Sequence, residues 1–542
     1  MIRRIGHSHT WSLGEISDLL GGTLLNGAQP EMPILAVVSS GDHQRPSSLF
    51  VAYRGARVDG HDYIGQAFEN GSVAAVVTSE EKLEGRPGIL VEDSQRALSR
   101  LGAAFAGDPS KNMLTIGITG TNGKTTVHWL LYHALERLGL PGIRLGSLGI
   151  SAHGLVEKSG KVVVRGSGDL VLTTPAAQVI HDSLRQALDS GLKSCVLETS
   201  SHALVQHRVS DVWYDAAIFT NLSPDHLNYH NDMESYFEAK VGLFRQLAEM
   251  RAADSQGKAV VNIDCPWGRR MAIVAGELDL ELMTFGTASE AMVRIVDFKQ
   301  QIPESRLILE YQGCRSTVVT SLIGDYNASN VAAAFAALVA VALDPLEVAG
   351  ALSGVAGVPG RLESLGSEDV TVLVDYAHTG EGLRKTLGAV RSFAKKDLWV
   401  VFGCGGGKDP GKRGGMGKAA AEFADRIVLT SDNPRNEDPA GIIEDILSSG
   451  CRAEFVELDR GKAIERTLKA AKKGDVVVLA GKGHEDYEVV GTETRYFSDR
   501  DQAIKWREVG ALDRGPGPID LGCSNQNRQV RLRYRSGEGE PR

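Results

Sequence analysis

The stretch Gly120–Thr126, which reads Gly-Thr-Asn-Gly-Lys-Thr-Thr, constrains the fold of this chain more than any other feature. It follows the apolar run Met113–Thr119 and precedes an amphipathic run, so the order predicts a strand, a glycine loop and a helix. Backbone N–H groups in such a loop, together with the helix N-terminus, bind phosphate oxygens. Lys124 would reach the outer phosphates and the Thr125 hydroxyl would bind Mg²⁺, so the chain is expected to bind ATP or a similar nucleotide.

The glycine loop departs from the usual spacing at one position. A glycine is expected five residues before Gly123, and Ile118 stands there instead. This departure points away from the loops of common GTPases. The alternative interpretation is a plain glycine turn between a strand and a helix, with Lys124 solvated.

Length and composition limit the class of protein. A chain of 542 residues is long enough for about three or four domains. With 42% hydrophobic and 23% charged residues and a net charge of −9, the composition is that of a globular protein without a nucleic-acid partner. No run reaches the roughly 18 apolar residues that membrane insertion requires. The six cysteines are scattered and form no Cys-x-x-Cys pair, which favours a reducing, cytoplasmic location.

Turn-rich stretches divide the chain into four parts. We predict a small N-terminal domain at 1–112, a central domain at 113–356 and a C-terminal domain at 357–512. Residues 513–542 lack apolar periodicity and are predicted to be a disordered tail. Strands alternate with helical segments in the second and third parts, which predicts mostly parallel sheets.

Several buried strands end in residues that can bind ligands, as expected at the carboxyl edge of an open α/β sheet. Glu198 ends one strand and could bind Mg²⁺ opposite Thr125, although a glutamate there is also typical of a helix start. His226 follows another strand beside Asp225, which suits a metal or a phosphate-bearing substrate, or a capped helix start.

Two further clusters carry cations. Lys240 lies on a predicted helix, where an isolated lysine is normally a solvated charge. The run Gly403–Arg413 follows a strand and contains four glycines before Lys408. Its glycines allow a ligand to approach the backbone and its cations suit anions, whereas the alternative is a flexible surface loop.

Taken together, these motifs resemble those of the Mur ligase family, the ATP-dependent amide ligases of bacterial cell-wall assembly. The resemblance runs from about Leu35 to about Ala503 and agrees in order and spacing. It is carried by Leu49-Phe-Val-Ala, Asp59-Gly-His-Asp, the glycine loop, Thr173-Thr-Pro, Glu198-Thr-Ser-Ser-His-Ala-Leu, Thr220-Asn-Leu-Ser-Pro-Asp-His-Leu, Val358-Pro-Gly-Arg-Leu-Glu, Val374-Asp-Tyr-Ala-His-Thr and Phe402-Gly-Cys-Gly-Gly. Asp432-Asn-Pro-Arg and Gly481-Lys-Gly-His-Glu-Asp-Tyr resemble the subgroup that adds the third amino acid to UDP-N-acetylmuramoyl-L-alanyl-D-glutamate.

The resemblance implies an α/β fold of three domains and a reaction. A central P-loop ATPase domain with a parallel sheet would lie between a small N-terminal α/β domain that binds the UDP precursor and a C-terminal Rossmann-like α/β domain that binds the amino acid. The acceptor carboxylate would attack the γ-phosphate of ATP, and the amine of meso-diaminopimelate would displace phosphate from the acyl phosphate. ATP and two Mg²⁺ ions are the implied cofactors. The partners are the UDP-muramoyl-dipeptide and an amino acid, and the chain is expected to be a monomer.

The resemblance also implies a role for individual residues. Lys124, Glu198, His226 and Lys240 are the implied catalytic residues, with Lys240 as an N6-carboxylysine, and the implied metal ligands are Thr125, Glu198, His226 and Lys240. The ATP site would comprise Gly120, Thr121, Asn122, Gly123, Lys124, Thr125, Thr126, Asn327, Asn330, Arg361 and Asp375. The UDP precursor would contact Ser40, Thr173, Thr174, Ser200, Gln206 and Arg208. The amino acid would contact Lys408, Asp432, Asn433, Pro434, Arg435, Gly481 and Glu485.

Two departures from the family pattern leave the substrates open. Ser39-Ser40-Gly41 replaces the usual Asp-Ser-Arg near the UDP site, and Lys408 replaces an arginine that helps to bind the amino acid. Lysine keeps the charge but lacks the bidentate geometry. The alternatives are the same reaction with L-lysine or another amine, a paralogue that couples an amino acid to a different carboxylate, and a non-catalytic binding module.

Overall fold

Three α/β units, each built on its own sheet, make up the described part of the chain. The computed structural model describes residues 10–39, 46–55, 58–154, 172–225, 227–250, 257–301, 304–365, 369–407 and 410–512. The predicted tail at 513–542 lies outside these residues. Among the described residues, no helix combines the length and the apolar character needed to cross a bilayer.

The N-terminal unit has a five-stranded sheet in the order β2-β7-β6-β5-β4. Strands β4 to β7 run parallel and β2 is antiparallel to β7. Its elements are β1 (Trp11–Ser12), α1 (Leu13–Leu20), β2 (Thr23–Leu25), β3 (Pro33–Ile34), β4 (Ala36–Val38), β5 (Ser48–Val51), α2 (Ile64–Glu69), β6 (Ser72–Val77), β7 (Gly88–Leu90) and α3 (Ser94–Phe105). Helix α1 starts at a capping box, in which Ser12 and Glu15 satisfy each other's backbone N–H groups.

The central unit contains a ten-stranded sheet in the order β10-β9-β11-β8-β12-β13-β14-β15-β16-β17. Its first elements are β8 (Leu114–Thr119), α4 (Lys124–Arg137), β9 (Gly142–Gly146), β10 (Gly149–Ala152), α5 (Ala177–Asp189), β11 (Ser194–Glu198), α6 (Ser201–Val205), β12 (Ala216–Phe219), α7 (Leu227–His230) and α8 (Met233–Met250). The remaining elements are β13 (Lys258–Asn262), α9 (Pro266–Glu277), β14 (Glu281–Gly286), β15 (Val293–Lys299), β16 (Ser305–Tyr311), β17 (Cys314–Thr320), α10 (Tyr326–Ala340) and α11 (Pro345–Leu352).

The strands β9, β11, β8, β12, β13 and β14 are parallel, as the alternation of strands and helices predicts. Separate buried apolar clusters cover the two faces of this sheet, which explains why its strands read as continuous apolar runs. The antiparallel extension β15-β16-β17 was not anticipated from the sequence. Because the central strands are parallel, their carboxyl ends meet at one edge, where the glycine loop and Glu198 lie together.

The C-terminal unit has a six-stranded sheet in the order β18-β19-β23-β20-β21-β22. All neighbours are parallel except β18 and β19, which agrees with the predicted Rossmann-like arrangement. Its elements are β18 (Glu363–Ser364), β19 (Thr371–Asp375), α12 (Gly380–Arg391), β20 (Leu398–Phe402), α13 (Gly411–Phe423), β21 (Arg426–Leu429), α14 (Pro439–Leu447), β22 (Phe455–Val456), α15 (Arg460–Ala470), β23 (Val476–Ala480), β24 (Tyr487–Val490), β25 (Glu493–Tyr496) and α16 (Asp499–Leu512).

A buried ion pair fixes the last helix to this unit. The Arg460 guanidinium, at the start of α15, donates to both carboxylate oxygens of Asp499 at 2.6 and 2.7 Å, and neither side chain is exposed to solvent. Arg460 also donates to the carbonyls of Ser431 and Ala480, next to the predicted amino-acid site. The pair therefore ties α16 to the strand ends that carry the site.

Candidate active site

One large cleft joins the three units. Its volume is about 3360 Å³, and its walls include Ser39 and Tyr53 from the N-terminal unit, the glycine loop and Glu198 from the central unit, and Arg361 and Glu485 from the C-terminal unit. A cleft of this kind can hold a nucleotide and two further substrates together. Most of the residues predicted from the sequence line it or lie directly behind its wall.

The glycine loop wraps the start of α4 in a conformation that requires glycine. Gly120 has a φ of +142° and Gly123 a φ of +87°. A Cβ on Gly123 would come 2.3 Å from Oδ1 of Asn330, so α10 packs directly against the loop. The neighbouring strand β12 holds the loop through Asn221, whose Oδ1 accepts the Asn122 N–H at 3.0 Å. These contacts with Asn221 and Asn330 fix the shape of the loop.

Lys124 folds back across the same loop. Its Nζ donates to the carbonyls of Gly120 at 2.8 Å and Thr121 at 2.9 Å. Burial lowers the pKa of Lys124, and the charges of Glu198 and Asp225 oppose this shift. Lys124 is therefore placed to meet a negatively charged group at the mouth of the loop.

Glu198 is a buried carboxylate. Every hydrogen bond described for its side chain comes from a neutral donor. Thr125 Oγ1 donates to Oε2 at 3.1 Å, and Ser147 donates its N–H to Oε1 at 2.9 Å and its hydroxyl to Oε2 at 3.2 Å. Burial raises the pKa of Glu198, and Lys124 provides the largest opposing charge. A buried carboxylate beside a threonine hydroxyl is a set of hard oxygen donors, so these residues fit Mg²⁺.

His128 lies behind this carboxylate but does not neutralise it. Its Nδ1 is 3.6 Å from Glu198 Oε1, and its Nε2 contacts the Val196 carbonyl at 3.1 Å. Burial lowers the pKa of His128 to about 3, so the imidazole is neutral at physiological pH. His128 therefore brings no positive charge that would neutralise Glu198.

Lys240 is buried rather than solvated, which corrects the default expectation for an isolated lysine on a helix. It is 1% exposed, its Nζ donates to the Gly120 carbonyl at 3.0 Å, and it lies 4.3 Å from the centre of the Tyr236 ring. Burial, reinforced by the charge of Lys124, lowers the pKa of Lys240 well below its ordinary value. This shift favours the neutral amine, which is the form of lysine that reacts with CO₂.

The residues predicted to hold the UDP precursor cluster next to Glu198. The Thr174 hydroxyl donates to the Glu198 carbonyl at 2.7 Å and accepts the Ser200 N–H at 3.1 Å. Arg208 donates to the Thr174 carbonyl at 2.7 Å and to Gln206 Oε1 at 3.0 Å. Thr173 lies 3.4 Å from the Ser147 hydroxyl, measured between the two side-chain oxygens. Their position agrees with a substrate whose carboxylate must reach the glycine loop.

The predicted nucleotide residues outside the loop come from α10 and the start of the C-terminal unit. Asn330 donates to Asn327 Oδ1 at 2.8 Å. The Arg361 guanidinium lies 4.7 Å from the centre of the Tyr376 ring, and both residues line the cleft. Asp375 lines the cleft as well, but Leu362 N–H, Ala377 N–H and the Thr386 hydroxyl already donate to it at 2.8–2.9 Å. Two of these donors are on Oδ1 and one is on Oδ2, so Oδ2 can still accept one further hydrogen bond.

The predicted amino-acid residues form a compact pocket at the carboxyl edge of the C-terminal sheet. Asn433 donates to Glu485 at 3.2 Å, and a Cβ on Gly481 would lie 3.5 Å from Asp432 Oδ2. Burial, with the charge of Asp432 next, raises the pKa of Glu485, so the pocket favours a cation. Arg435 follows Pro434 in the left-handed region at φ +52°, and its Nη1 donates to the Gly406 carbonyl at 2.7 Å.

Sequence reasoning gave no role to three residues that organise the site. Lys482 is fully buried and its Nζ reaches Asp432 Oδ1 and Asn433 Oδ1, both at 3.3 Å. His484 contacts the central unit, and Ser147 holds Glu198. Lys482 and His484 belong to a motif quoted for the resemblance, which was the signal for them. Ser147 follows the end of β9 and carries no local signal.

Three predicted residues cannot be placed. Ser40, His226 and Lys408 lie outside the described residues. Ser39, beside the first of them, exchanges hydrogen bonds with Gln178 of the central unit at 3.1–3.3 Å. This contact joins the N-terminal unit to the wall of the cleft.

A second group of metal-ligating side chains lies on the far side of α4. His133, Glu136 and His153 bring one nitrogen or oxygen each within 4.8 Å of the others. His153 Nδ1 accepts the Gly142 N–H at 3.0 Å, so the proton of the neutral ring lies on Nε2, 3.2 Å from a Glu136 oxygen. That proton occupies the nitrogen that faces Glu136, although Nε2 of His153 and Nε2 of His133 make no hydrogen bond in the structure.

Comparisons with known proteins agree with this geometry. The profile of the Mur ligase middle domain matches residues 118–338, that of the Mur ligase glutamate ligase domain residues 360–483, and that of the Mur ligase family catalytic domain residues 37–106. Curated relatives include two UDP-N-acetylmuramoyl-L-alanyl-D-glutamate--2,6-diaminopimelate ligases. The protein of Geobacter metallireducens is 38% identical over 87% of this chain and 94% of its own length. The protein of Thermosynechococcus vestitus is 40% identical over 87% of this chain and 93% of its own length.

Solved structures share the fold over almost the whole chain. A structure of UDP-N-acetylmuramoyl-L-alanyl-D-glutamate--2,6-diaminopimelate ligase aligns with a TM-score of 0.67 at 27% identity, covering 94% of this chain and all of that one. The MurF ligase of Thermotoga maritima in complex with ADP aligns with a TM-score of 0.56 at 19% identity, over 89% of this chain and 98% of that one. The second similarity concerns the fold alone.

Proposed function

Because this chain belongs to the Mur ligase family, we propose that it is an ATP-dependent, ADP-forming ligase that adds meso-diaminopimelate to UDP-N-acetylmuramoyl-L-alanyl-D-glutamate in peptidoglycan precursor synthesis. The observation that carries the proposal is the sharing of one cleft by the glycine loop, Glu198 and the Glu485 pocket. ATP, an acid and an amine can meet there. The names of the relatives supply the identity of the acid and the amine.

The chemical problem in this reaction is the approach of an anionic carboxylate to an anionic triphosphate. Lys124 and the N–H groups of Gly120–Thr126 would bind the phosphates, since both face the mouth of the loop. Thr125, Glu198, His226 and a carbamylated Lys240 would hold Mg²⁺ at two sites, which supplies charge neutralisation at the transferring phosphoryl group. The acceptor oxygen then attacks the γ-phosphorus, ADP leaves, and an acyl phosphate forms.

Lys240 takes part in this scheme only as a modified residue. A protonated Lys240 would repel a metal, whereas the neutral amine, which burial favours, can add CO₂. The nitrogen bonds to the carbon of CO₂ and releases one proton, which gives an anionic carbamate. The carbamate would then supply oxygen to the cleft beside Gly120 and Lys124, where its negative charge offsets the lysine.

The second half of the reaction uses the amine pocket. The neutral amine attacks the acyl carbon, the C–O bond to phosphate breaks, and phosphate leaves with that oxygen and with the proton that the nitrogen loses. Asp432, Asn433 and Glu485 would hold ammonium groups, and Pro434 and Gly481 would shape the pocket. Lys408 is proposed as a further contact of the amino acid. Arg435 offers its remaining donors to a second carboxylate, which diaminopimelate has and lysine lacks.

The remaining substrate contacts are proposed from the family resemblance. Ser40, Thr173, Thr174, Ser200, Gln206 and Arg208 would hold the UDP-muramoyl-dipeptide, and Asn327, Asn330, Arg361 and Asp375 the nucleotide. We also propose a monomer that works in the cytoplasm. The five cysteines in the described part of the chain are free thiols, which is compatible with a reducing compartment.

The test is ADP formation by the purified protein with UDP-muramoyl-dipeptide, ATP and Mg²⁺, given meso-diaminopimelate, L-lysine or no amine. We expect ADP and a product carrying diaminopimelate only when all substrates are present. The isosteric control E198Q keeps its hydrogen-bond acceptor but loses the charge, and should reduce the rate at least about 100-fold. Turnover with lysine but not with diaminopimelate would select the alternative amine. If no combination of acid and amine gives ADP, the chain would be a non-catalytic binding module.

A further inference from the structure

Among the described residues, His484 connects the amine pocket to the nucleotide side of the cleft. His484 immediately precedes Glu485 and forms a hydrogen bond with the backbone of Ser147 in the central unit. The ring also packs against Tyr376, with the centroids 5.1 Å apart. His484 is therefore held on one side by the amine pocket and on the other by the turn between β9 and β10.

The direction of that hydrogen bond follows from the other partners of Ser147. The Ser147 N–H is already donated to Glu198 Oε1 at 2.9 Å, so the backbone group that remains is the carbonyl. His484 Nδ1 has no hydrogen-bond partner, which leaves Nε2–H as the donor. Burial, followed by the charge of Arg361, lowers the pKa of His484 to about 4, so the ring is a neutral donor at physiological pH.

Ser147 is rigidly coupled to the Glu198 carboxylate. Its N–H and its hydroxyl both donate to Glu198, and a Cβ on the preceding Gly146 would lie only 2.3 Å from Glu198 Oε1. Any movement of this turn therefore changes the position of the carboxylate. On the other side, a Cβ on Gly360 would lie 2.2 Å from the His484 nitrogen, so the linker and the histidine loop also pack without space.

We propose that His484 is a positioning residue that couples docking of the amine pocket onto the central unit to the orientation of the Glu198 carboxylate. This inference rests on the proposed ligase function. In physical terms, one hydrogen bond from the C-terminal unit fixes the Ser147 turn, and the two donors of that turn fix Glu198. The nucleotide side would then reach its productive geometry only when the amine pocket is in place.

Two substitutions distinguish the effect of the His484 hydrogen-bond donor from the effect of its ring packing. H484F keeps a ring against Tyr376 and removes the donor, whereas H484Q places an amide N–H near the position of Nε2 and removes the ring. The first measurement is amide hydrogen exchange of the peptide that contains residues 144–150, because the Ser147 N–H is protected by Glu198. We expect about tenfold faster exchange in H484F and exchange close to wild type in H484Q.

The second measurement is the steady-state rate of ADP formation. H484F should lower kcat about tenfold with less than a twofold change in the KM of the amine, and H484Q should recover most of kcat. Equal impairment of both variants, or unchanged exchange in H484F, would overturn the proposal. If H484F does not fold, H484L replaces it with the same readouts. Absence of turnover in the wild type would refute the proposed function, while the exchange comparison would still decide the role of His484.

Discussion

Replacement of Lys240 by methionine should make the protein more stable and inactive at the same time. In the unfolded chain the pKa of Lys240 is near 10.5, whereas burial holds its pKa in the folded state well below that value. Between these two pKa values the unfolded state carries the extra proton, so the contribution of Lys240 to stability falls as the pH falls. Methionine removes this penalty, because it is unbranched, similar in length and uncharged.

The size of the effect follows from the same linkage. The advantage of K240M should grow by up to about 1.4 kcal/mol for each pH unit below 10.5, and stop growing at the folded pKa. The lost hydrogen bond adds little, because the Gly120 carbonyl still accepts from Lys124 at 2.8 Å. The free energy of opening is measured by amide exchange of α8 in CO₂-free buffer at several pH values. That exchange reports the unit that contains Lys240.

Activity completes this test. K240M should lose at least about 100-fold in ADP formation, since it can carry no carbamate. K240A leaves space at the same position, so a small carboxylate such as formate should restore part of the K240A rate. Methionine fills that space, so formate should not restore the rate of K240M. A stability difference that does not change with pH would refute the claim of a buried neutral amine. Full activity of K240M would refute the carbamate.

Three further substitutions test other parts of the account. R460L should cost the C-terminal unit about 3–5 kcal/mol of stability, because it leaves the Asp499 carboxylate buried without its partner, and thermal denaturation would detect it; an unchanged melting temperature would contradict the burial. R435A should raise the KM of diaminopimelate roughly 10- to 100-fold while that of ATP stays within twofold, and R435K should recover only part of the loss; equal effects on both substrates would make Arg435 structural. G123A should abolish nucleotide binding in a calorimetric titration, since its φ is +87° and the new Cβ would collide with Asn330; wild-type affinity would show that the loop can rearrange.

The sequence predicts the buried strands of the two larger sheets well and the extension of the central sheet poorly. Ser194–Glu198 in the central unit and Leu398–Phe402 in the C-terminal unit are buried along their whole length, and both are strands in the structure. The strands of Val293–Thr320 are partly exposed and mix apolar with charged residues, so no continuous run marks them. Local pattern therefore identifies strands that lie between two layers of helices and misses strands at an exposed edge.

The site shows the same limit at the level of single residues. The glycine loop and Glu198 could be found because their chemistry is written in contiguous sequence. The burial of Lys240 could not, since it depends on Gly120 and Tyr236 approaching from other parts of the chain. Nor could the three protein donors of Asp375, because Leu362, Ala377 and Thr386 reach its carboxylate from different parts of the chain. Contacts between units, such as that of His484 with Ser147, leave no periodic signal at all.

The central claim is that the acid is activated by phosphorylation before the amine attacks. It is tested most directly by labelling both oxygens of the acceptor carboxylate with ¹⁸O and analysing the released phosphate by mass spectrometry. Formation of an acyl phosphate predicts one ¹⁸O atom in each phosphate and one in the new amide. Release of unlabelled phosphate during amide formation would contradict the account.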